Sequence, residues 1–296
     1  MPGKNKKEAS LTLALYLRPE RLDDALEALQ AQRLTVLAGG TDFYPARVGQ
    51  PLDDDVLDIT ALDGFREIRD EGDRWHLGAR VTWTDLLRAE LPACFDGLKA
   101  AAREVGGVQV QNAGTIVGNL CNASPAADGV PNLMALNAAV EVASVEGQHS
   151  LPLADFITGN RTTLRQPHEL VTGLSIPKPA ADAASTFVKL GARKYLVISI
   201  IMVAILIEPA DGLVGEARIA VGACAPVARR LPVVEAALRG RALLESLGST
   251  LEAEHLADAL EPIDDVRGSA DYRWDAAETA IRRGLAELGA RLGAPS

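Results

Sequence analysis

Two stretches of the chain combine glycines with small hydrogen-bond donors, and they carry the chemistry that the sequence offers. The first is Ala38-Gly39-Gly40-Thr41-Asp42, which follows an apolar run and precedes Phe43 and Tyr44. Paired glycines let the backbone turn sharply and let a ligand approach the amides closely. Successive N–H groups in such a turn form an anion-binding nest, and Thr41 can add a hydroxyl. Asp42 would repel a phosphate, so its expected part is to cap amides or orient the loop. Alone, this stretch reads as a tight turn between a strand and a helix. The second stretch repeats the chemistry with Gly114, Thr115, Gly118, Asn119 and Ser124, followed by Asp128. Small donors and glycines suit a diphosphate, and a later carboxylate suits a ribose hydroxyl. Two donor-rich loops shift the reading toward nucleotide binding. The G-x-G-x-x-G fingerprint is absent, which sets aside the Rossmann arrangement.

The elements that must position these loops follow from periodicity. Leu22, Ala25, Leu26 and Leu29 recur at helical spacing, and "LTVLAGG" then reads as a short buried strand ending in a glycine turn. "DDDVLDIT" reads as a second strand, and residues 65–81 as two strands around a turn at Glu71-Gly72-Asp73. "TWTDLLRAE" begins with a threonine cap and "DGLKAAAREVGG" closes with glycines, so both read as helices. The section 108–128 breaks the rhythm and reads as an extended polar loop. A helix leading into a strand follows over "NLMALNAAVEVAS", then a strand over "LVTGLSIPKP". "PKPAADAAS", residues 177–185, reads as a linker. Beyond it lie strand patterns over "STFVKLGA", "LVISIIMVAILIE" and "EARIAVGACA", then helical patterns over 232–247, 250–260 and 271–292. Strands followed by helices indicate an α+β fold.

Composition narrows the function. Nearly half of the 296 residues are apolar, enough for a sizeable core, and the formal net charge is −10. An acidic chain repels phosphate backbones, so nucleic acid is not an expected partner. The longest apolar run, Tyr195 to Ile207, is too short to span a bilayer and reads as a buried strand. The basic opening "MPGKNKKEAS" is not followed by an apolar stretch, so a short flexible tail over residues 1–10 and a cytoplasmic location are expected. Cys94, Cys121 and Cys224 are far apart, with no C-x-x-C pair, and the four histidines are isolated. Local spacing therefore offers no metal or Fe-S site in this chain. No acid–base pair stands at a convincing spacing, so no catalytic residue is assigned.

The order and wording of the two loops are more specific than their composition. "LAGGTDFYP" followed by "QNAGTIVGNLCNASPAAD" resembles the FAD-binding subunit of the molybdenum hydroxylases, the relatives of xanthine, carbon monoxide, nicotinate and quinoline dehydrogenases. "YLRPERLDDALEAL", "FVKLGARKYLVISIIMVA" and "DVRGSADYRWDAAETAIRRGL" resemble the opening, the start of the C-terminal domain and the closing helix of that subunit. The resemblance implies a two-part FAD-binding domain of the PCMH, or vanillyl-alcohol-oxidase, type over residues 11–180. A C-terminal domain with a small antiparallel sheet and helices would cover 184–292. It implies that Val36, Leu37, Ala38, Gly39, Gly40, Thr41, Asp42 and Phe43 wrap the FAD pyrophosphate, with Thr115, Ile116, Val117, Gly118 and Asn119 on its other side. Gly106 would let a helix end approach the cofactor, and Asp128 would bond the ribitol or ribose region. Lys189 would reach toward the flavin and Val171 or Leu170 would pack near its ring. A lysine in an alternating strand is otherwise usually the solvent-facing residue.

The resemblance also implies partners. A molybdenum cofactor in a large subunit hydroxylates a substrate, 2Fe-2S clusters in a small subunit pass electrons singly, and FAD here delivers them to an acceptor such as NAD. The assembly implied is a dimer of heterotrimers. Two residues depart from the family pattern: Val117 replaces a glycine and Gln111 an arginine. A β-branched residue is costly at positive φ, so an extended backbone is expected at Val117. Two other readings stay open. One is a stand-alone flavin reductase or oxidase of the same fold, such as the enolpyruvyl reductase of peptidoglycan synthesis. The other is a nucleotide-binding module without redox function.

Overall fold

The computed structural model describes residues 14–257 and 259–294; the tail expected over 1–10 lies outside them. Helix accounts for 35% and strand for 27%, gathered into separate sheets and helical layers, so the class is α+β. The first sheet is parallel, with Val56–Asp58 between Tyr16–Leu17 and Thr35–Leu37. Leu22–Ala31 makes the crossover helix and buries Ala25, Leu26 and Leu29, the positions expected from its period. The second sheet is antiparallel, in the order Ile68–Asp70, Arg74–Gly78, Leu170–Pro177, Ala139–Ser144, Gly147–Pro152. Among the described residues, no helix is long and apolar enough to cross a membrane.

The polar section between these sheets is not a loop. It folds as two short helices, Val108–Ala113 and Ile116–Asn122, with Gly129–Ala135 following. Its glycines mostly sit at helix ends: Gly107 precedes the first helix and Gly114 closes it. Thr115 caps the next helix, its Oγ1 accepting from Gly118 N at 3.0 Å. A Cβ on Gly118 would lie 2.6 Å from that hydroxyl as it is placed here. Burial of Ile116, Val117 and Leu120 then holds the helix in place. Val117 is therefore helical rather than extended, and it is absent from the residues with positive φ. Gln111 closes the preceding helix, Asp96–Glu104, by donating from Nε2 to the carbonyls of Arg103 and Val105 at 3.2 Å each.

Residues 178–183 lead into a four-stranded antiparallel sheet of Ala184–Leu190, Ile201–Ala210, Leu213–Gly222 and Arg229–Arg230. The strand expected over 195–207 begins only at Ile201; Tyr195, Leu196 and Ile198 are exposed, and Leu196 has φ +51. The Ile201–Ala210 strand is buried on both faces. Ala204 and Leu206 join the core of the first two sheets, while Ile201, Val203, Ile205 and Ile207 join a second core under the Ala270–Leu292 helix. One period-two strand thus welds the halves of the molecule. The helical patterns at 232–247 and 250–260 shorten to a helix over Pro232–Leu238 and 3-10 turns over Glu245–Thr250 and Ala253–Leu256.

Arg273 on the long helix is only 1% exposed. Its Nη1 donates to Ile200 O at 2.7 Å and Ala223 O at 2.8 Å, and its Nη2 pairs with Asp265 Oδ1 at 2.6 Å. Arg273→Ala leaves two buried carbonyls without donors and is expected to destabilise the chain by about 3 kcal/mol. Urea denaturation followed by circular dichroism measures this, and a cost below about 1 kcal/mol would contradict the assignment.

Candidate cofactor site

The glycine turn and the helical segment meet backbone to backbone. A Cβ on Gly39 would lie 1.9 Å from Ala113 O and 2.9 Å from Gly114 Cα. Only glycine permits that approach, so Gly39 serves the packing of one segment on the other. Gly40 has φ +69, and a Cβ there would meet the Tyr44 ring at 2.7 Å. Tyr44 therefore packs beneath the turn, while Phe43 lines the cleft above it. The two rings meet edge to face at 5.1 Å, and the Arg47 guanidinium lies 3.8 Å over Phe43.

Hydrogen bonding orients this turn. The carbonyls of Gly40, Asp42 and Tyr44 accept from Tyr44 N, Ala46 N and Arg47 N, and Phe43 O accepts from Arg47 Nη1 at 3.0 Å. The amides of Gly39, Gly40, Thr41, Asp42 and Phe43 donate to no acceptor among the described residues. Carbonyls thus point onward along the chain and N–H groups are left free, as at the start of a helix. Asp42 caps none of them. It pairs with Arg161 Nη1 at 2.9 Å, which also donates to Asn122 Oδ1 at 2.5 Å, so the carboxylate pins the turn to the second segment. Arg47 is occupied by Asp54, with Nη2 to Oδ1 at 2.8 Å, and its hydrogen bonds, more than its charge, hold that carboxyl below its ordinary range.

Turn and helix form two walls of a cleft of about 570 Å³ between the parallel and the five-stranded sheets. That size suits an organic cofactor or ligand. Of the residues expected at a cofactor, Val36, Leu37, Ala38, Gly39, Thr41, Asp42, Phe43, Thr115, Val117, Gly118, Asn119 and Val171 line it, as does Leu170. Asn119 Oδ1 is buried without a hydrogen-bond partner among the described residues, an acceptor open to a hydroxyl donor. Gly40 and Ile116 lie behind the walls. Gly106, at φ +53 against Val110, ends the Asp96–Glu104 helix and is not on the cleft.

Asp128 and Lys189 are also off the cleft walls. They are paired with each other at 2.7 Å, both nearly buried, across the junction between the first two sheets and the four-stranded one. Ser199 Oγ donates to Asp128 Oδ1 at 2.6 Å, and Lys189 Nζ approaches Glu104 O at 3.4 Å. Desolvation raises the Asp128 pKa, and Lys189 and Ser199 oppose that rise. The lysine is thus neither solvent-facing nor free to leave without stranding a carboxylate.

Sequence reasoning assigned no role to Arg33, Trp83, Val105, Cys121 or Arg165, which also line the cleft. Trp83 follows the Thr82 cap and its amide bonds Gly114 O at 3.2 Å, stitching the second segment to the sheet. Burial pushes the Cys121 thiol up to about 11, so it stays protonated at neutral pH. No group of three or more His, Cys, Asp or Glu residues is arranged to hold a metal ion among the described residues.

A family model described as the FAD binding domain in molybdopterin dehydrogenase matches residues 8–179. The CO dehydrogenase flavoprotein C-terminal domain matches residues 186–288. The chain belongs to the family of FAD-binding medium subunits of the molybdenum hydroxylases, and is an FAD-containing oxidoreductase subunit. It is 30% identical over 282 residues to the nicotine 6-hydroxylase medium subunit of Paenarthrobacter nicotinovorans, covering 93% of this chain and 97% of that one. It is 29% identical over 283 residues to the carbon monoxide dehydrogenase medium chain of Hydrogenophaga pseudoflava, covering 93% and 97%. A solved structure of carbon monoxide dehydrogenase from the latter organism, lacking the Mo-pyranopterin moiety of the molybdenum cofactor, superposes with a TM-score of 0.82 at 28% identity, covering 93% of this chain and 96% of that one.

Lys189→Met removes one partner of the buried pair and is expected to cost about 3 kcal/mol of stability. Adding Asp128→Asn should return most of that loss, because the stranded charge is gone. Denaturant titration of the two single variants and the double variant measures the coupling, and simply additive costs would contradict it.

Proposed function

We propose that this chain is the electron-transfer member of a multi-subunit molybdenum hydroxylase, and that it grips the FAD pyrophosphate between the Gly39–Phe43 turn and the Thr115–Asn119 segment. The observation that carries the reading is that the cleft-lining residues Gly39, Thr41, Asp42 and Phe43 have amides that donate to no acceptor among the described residues, on a wall opposite a segment rich in small donors. The residues present fit the group: free amides and the Thr41 hydroxyl suit a diphosphate, the open Asn119 Oδ1 suits a hydroxyl, and Leu170, Val171, Val105 and Val110 suit an apolar ring. In this reading residues 11–180 form the cofactor-binding part and 184–292 the C-terminal domain.

When bound, FAD supplies the redox chemistry, taking up electrons singly and passing them on in pairs. The chain's own residues bind and orient. Asp42 is tied to Arg161 and Cys121 stays protonated, so neither offers proton transfer at the cleft. Electrons would come from 2Fe-2S clusters in a small partner, the molybdopterin chemistry would reside in a large one, and the acceptor would be a species such as NAD. A dimer of such heterotrimers is the assembly proposed. The names of the relatives, medium subunit and medium chain, support a multi-chain enzyme.

Purification of the native protein with its partners should give a yellow complex with one flavin per copy of this chain and with molybdenum and iron on metal analysis. A yellow monomer that turns over a substrate alone would contradict the partner assignment. Gly39→Ala should lose flavin while keeping its far-UV circular dichroism, since a Cβ there pushes the two walls apart. Full flavin occupancy in that variant would contradict the grip.

A further inference from the structure

The glycine turn is tied to the second wall at two places, and the ties differ in kind. Gly39 rests on Ala113 and Gly114, just before the Ile116–Asn122 helix begins. That contact is backbone on backbone and opens only if a whole wall moves. Further along the turn, Asp42 is joined to the end of the same helix by Arg161. Its Nη1 donates to Asp42 Oδ2 at 2.9 Å and to Asn122 Oδ1 at 2.5 Å. Asp42 and Asn122 both line the cleft, and Arg161 reaches them from outside it. The Arg161 and Asp42 side chains are 59% and 51% exposed, so water can replace these bonds.

The backbone is bent to place that bridge. Arg161 sits in the turn of the hairpin between Ile157–Gly159 and Thr162–Thr163, at φ +54. Its amide donates to the Ala123 carbonyl at 2.8 Å, and Ala123, which ends the Ile116–Asn122 helix, has φ +47. Both positions are left-handed, where a side chain carries a cost that glycine avoids. An exposed ion pair returns little of that cost as folding stability. Arg161 is therefore a residue that the fold itself would exchange for glycine, and strain of this kind gathers at ligand clamps.

We propose that Arg161 is a positioning residue, a clasp that holds the two walls together through Asp42 and Asn122 and sets how long the cofactor stays bound. This rests on the FAD reading above. Gly39 is the fixed end of the turn and Asp42 the end that is released when the clasp opens.

The full chain loaded with FAD is diluted, and release is followed by the change in flavin fluorescence. Arg161→Gly should release FAD roughly fivefold faster, the scale of an exposed ion pair. Because glycine suits φ +54, the flavin-free variant should melt no lower than the wild type. Arg161→Lys should recover part of the residence time, since it keeps one charged donor. Asp42→Ala should also speed release, and the double variant Asp42→Ala with Arg161→Gly should be no faster than the faster single one. Added salt should speed release from the wild type more than from Arg161→Gly. Unchanged release from Arg161→Gly, with the wild type holding FAD, overturns the clasp alone. A double variant that returns to the wild-type rate also overturns it, because Arg161 would then only shield a carboxylate from the diphosphate. So does a flavin-free Arg161→Gly that melts well below the wild type, because the residue would then support the fold. A wild type that holds no FAD overturns both the clasp and the reading beneath it.

Discussion

The contact between the Gly39 backbone and the Ala113 carbonyl is the constraint on which the cleft depends. Any side chain at 39 would occupy the carbonyl's own place. With glycine there, a turn from the parallel sheet rests directly on a helix end tied to the antiparallel sheet, and the space between becomes a cleft with two polar walls. Thr115 reinforces the same junction from the other side: its amide-capping hydroxyl starts the next helix, while the neighbouring Ile116 amide bonds Val81 O at 3.0 Å. A close approach of main chains thus sets the two walls of the cleft, and in the proposed reading the free amides of the turn favour a diphosphate.

That direction is consistent throughout the turn. Carbonyls accept from residues downstream and amides are left without acceptors, so the wall presents positive dipole ends without a formal charge. Asp42, beside it, is compensated by Arg161, and Arg47 by Asp54. Among the described residues, Arg33 and Arg165 also line the cleft without an ion-pair partner. The negative charge of the whole chain therefore says little about this site. An overall charge of −10 disfavours a polyanion docked on the surface, but a single diphosphate meets only the local arrangement.

Much of this was readable from residues. Gly39 and Gly40 before Thr41, and Gly114-Thr115 before Gly118-Asn119, marked the two walls because glycine and hydroxyl positions report backbone demands directly. The α+β class followed from strands preceding helices. The secondary structure of the second wall was misjudged because Gly107 and Gly114 are helix terminators there, and composition cannot tell a loop from two short helices separated by caps. Val117 illustrates the same point: a β-branched residue is acceptable because burial places it in a helix. The resemblance gave Asp128 and Lys189 as cofactor contacts; that they also pair with each other across the junction, 61 positions apart, is a contact no local pattern encodes. The Asp42–Arg161 tie, 119 positions apart, was equally out of reach. Arg33 carried one available signal, a cation just ahead of the strand that feeds the glycine turn.

The halves of the molecule are joined by the Ile201–Ala210 strand, whose alternate residues enter two cores, and by the buried Asp128–Lys189 pair. The halves thus share buried contacts, and the proposed grip at the amide row requires no gross change of shape. The most direct test of that claim is backbone amide hydrogen exchange of the flavin-free chain with and without FAD. FAD is expected to protect the amides of residues 39–43 together with those around 115–119, with little change at the outer sheet edges. Protection elsewhere with none at 39–43 would contradict the account.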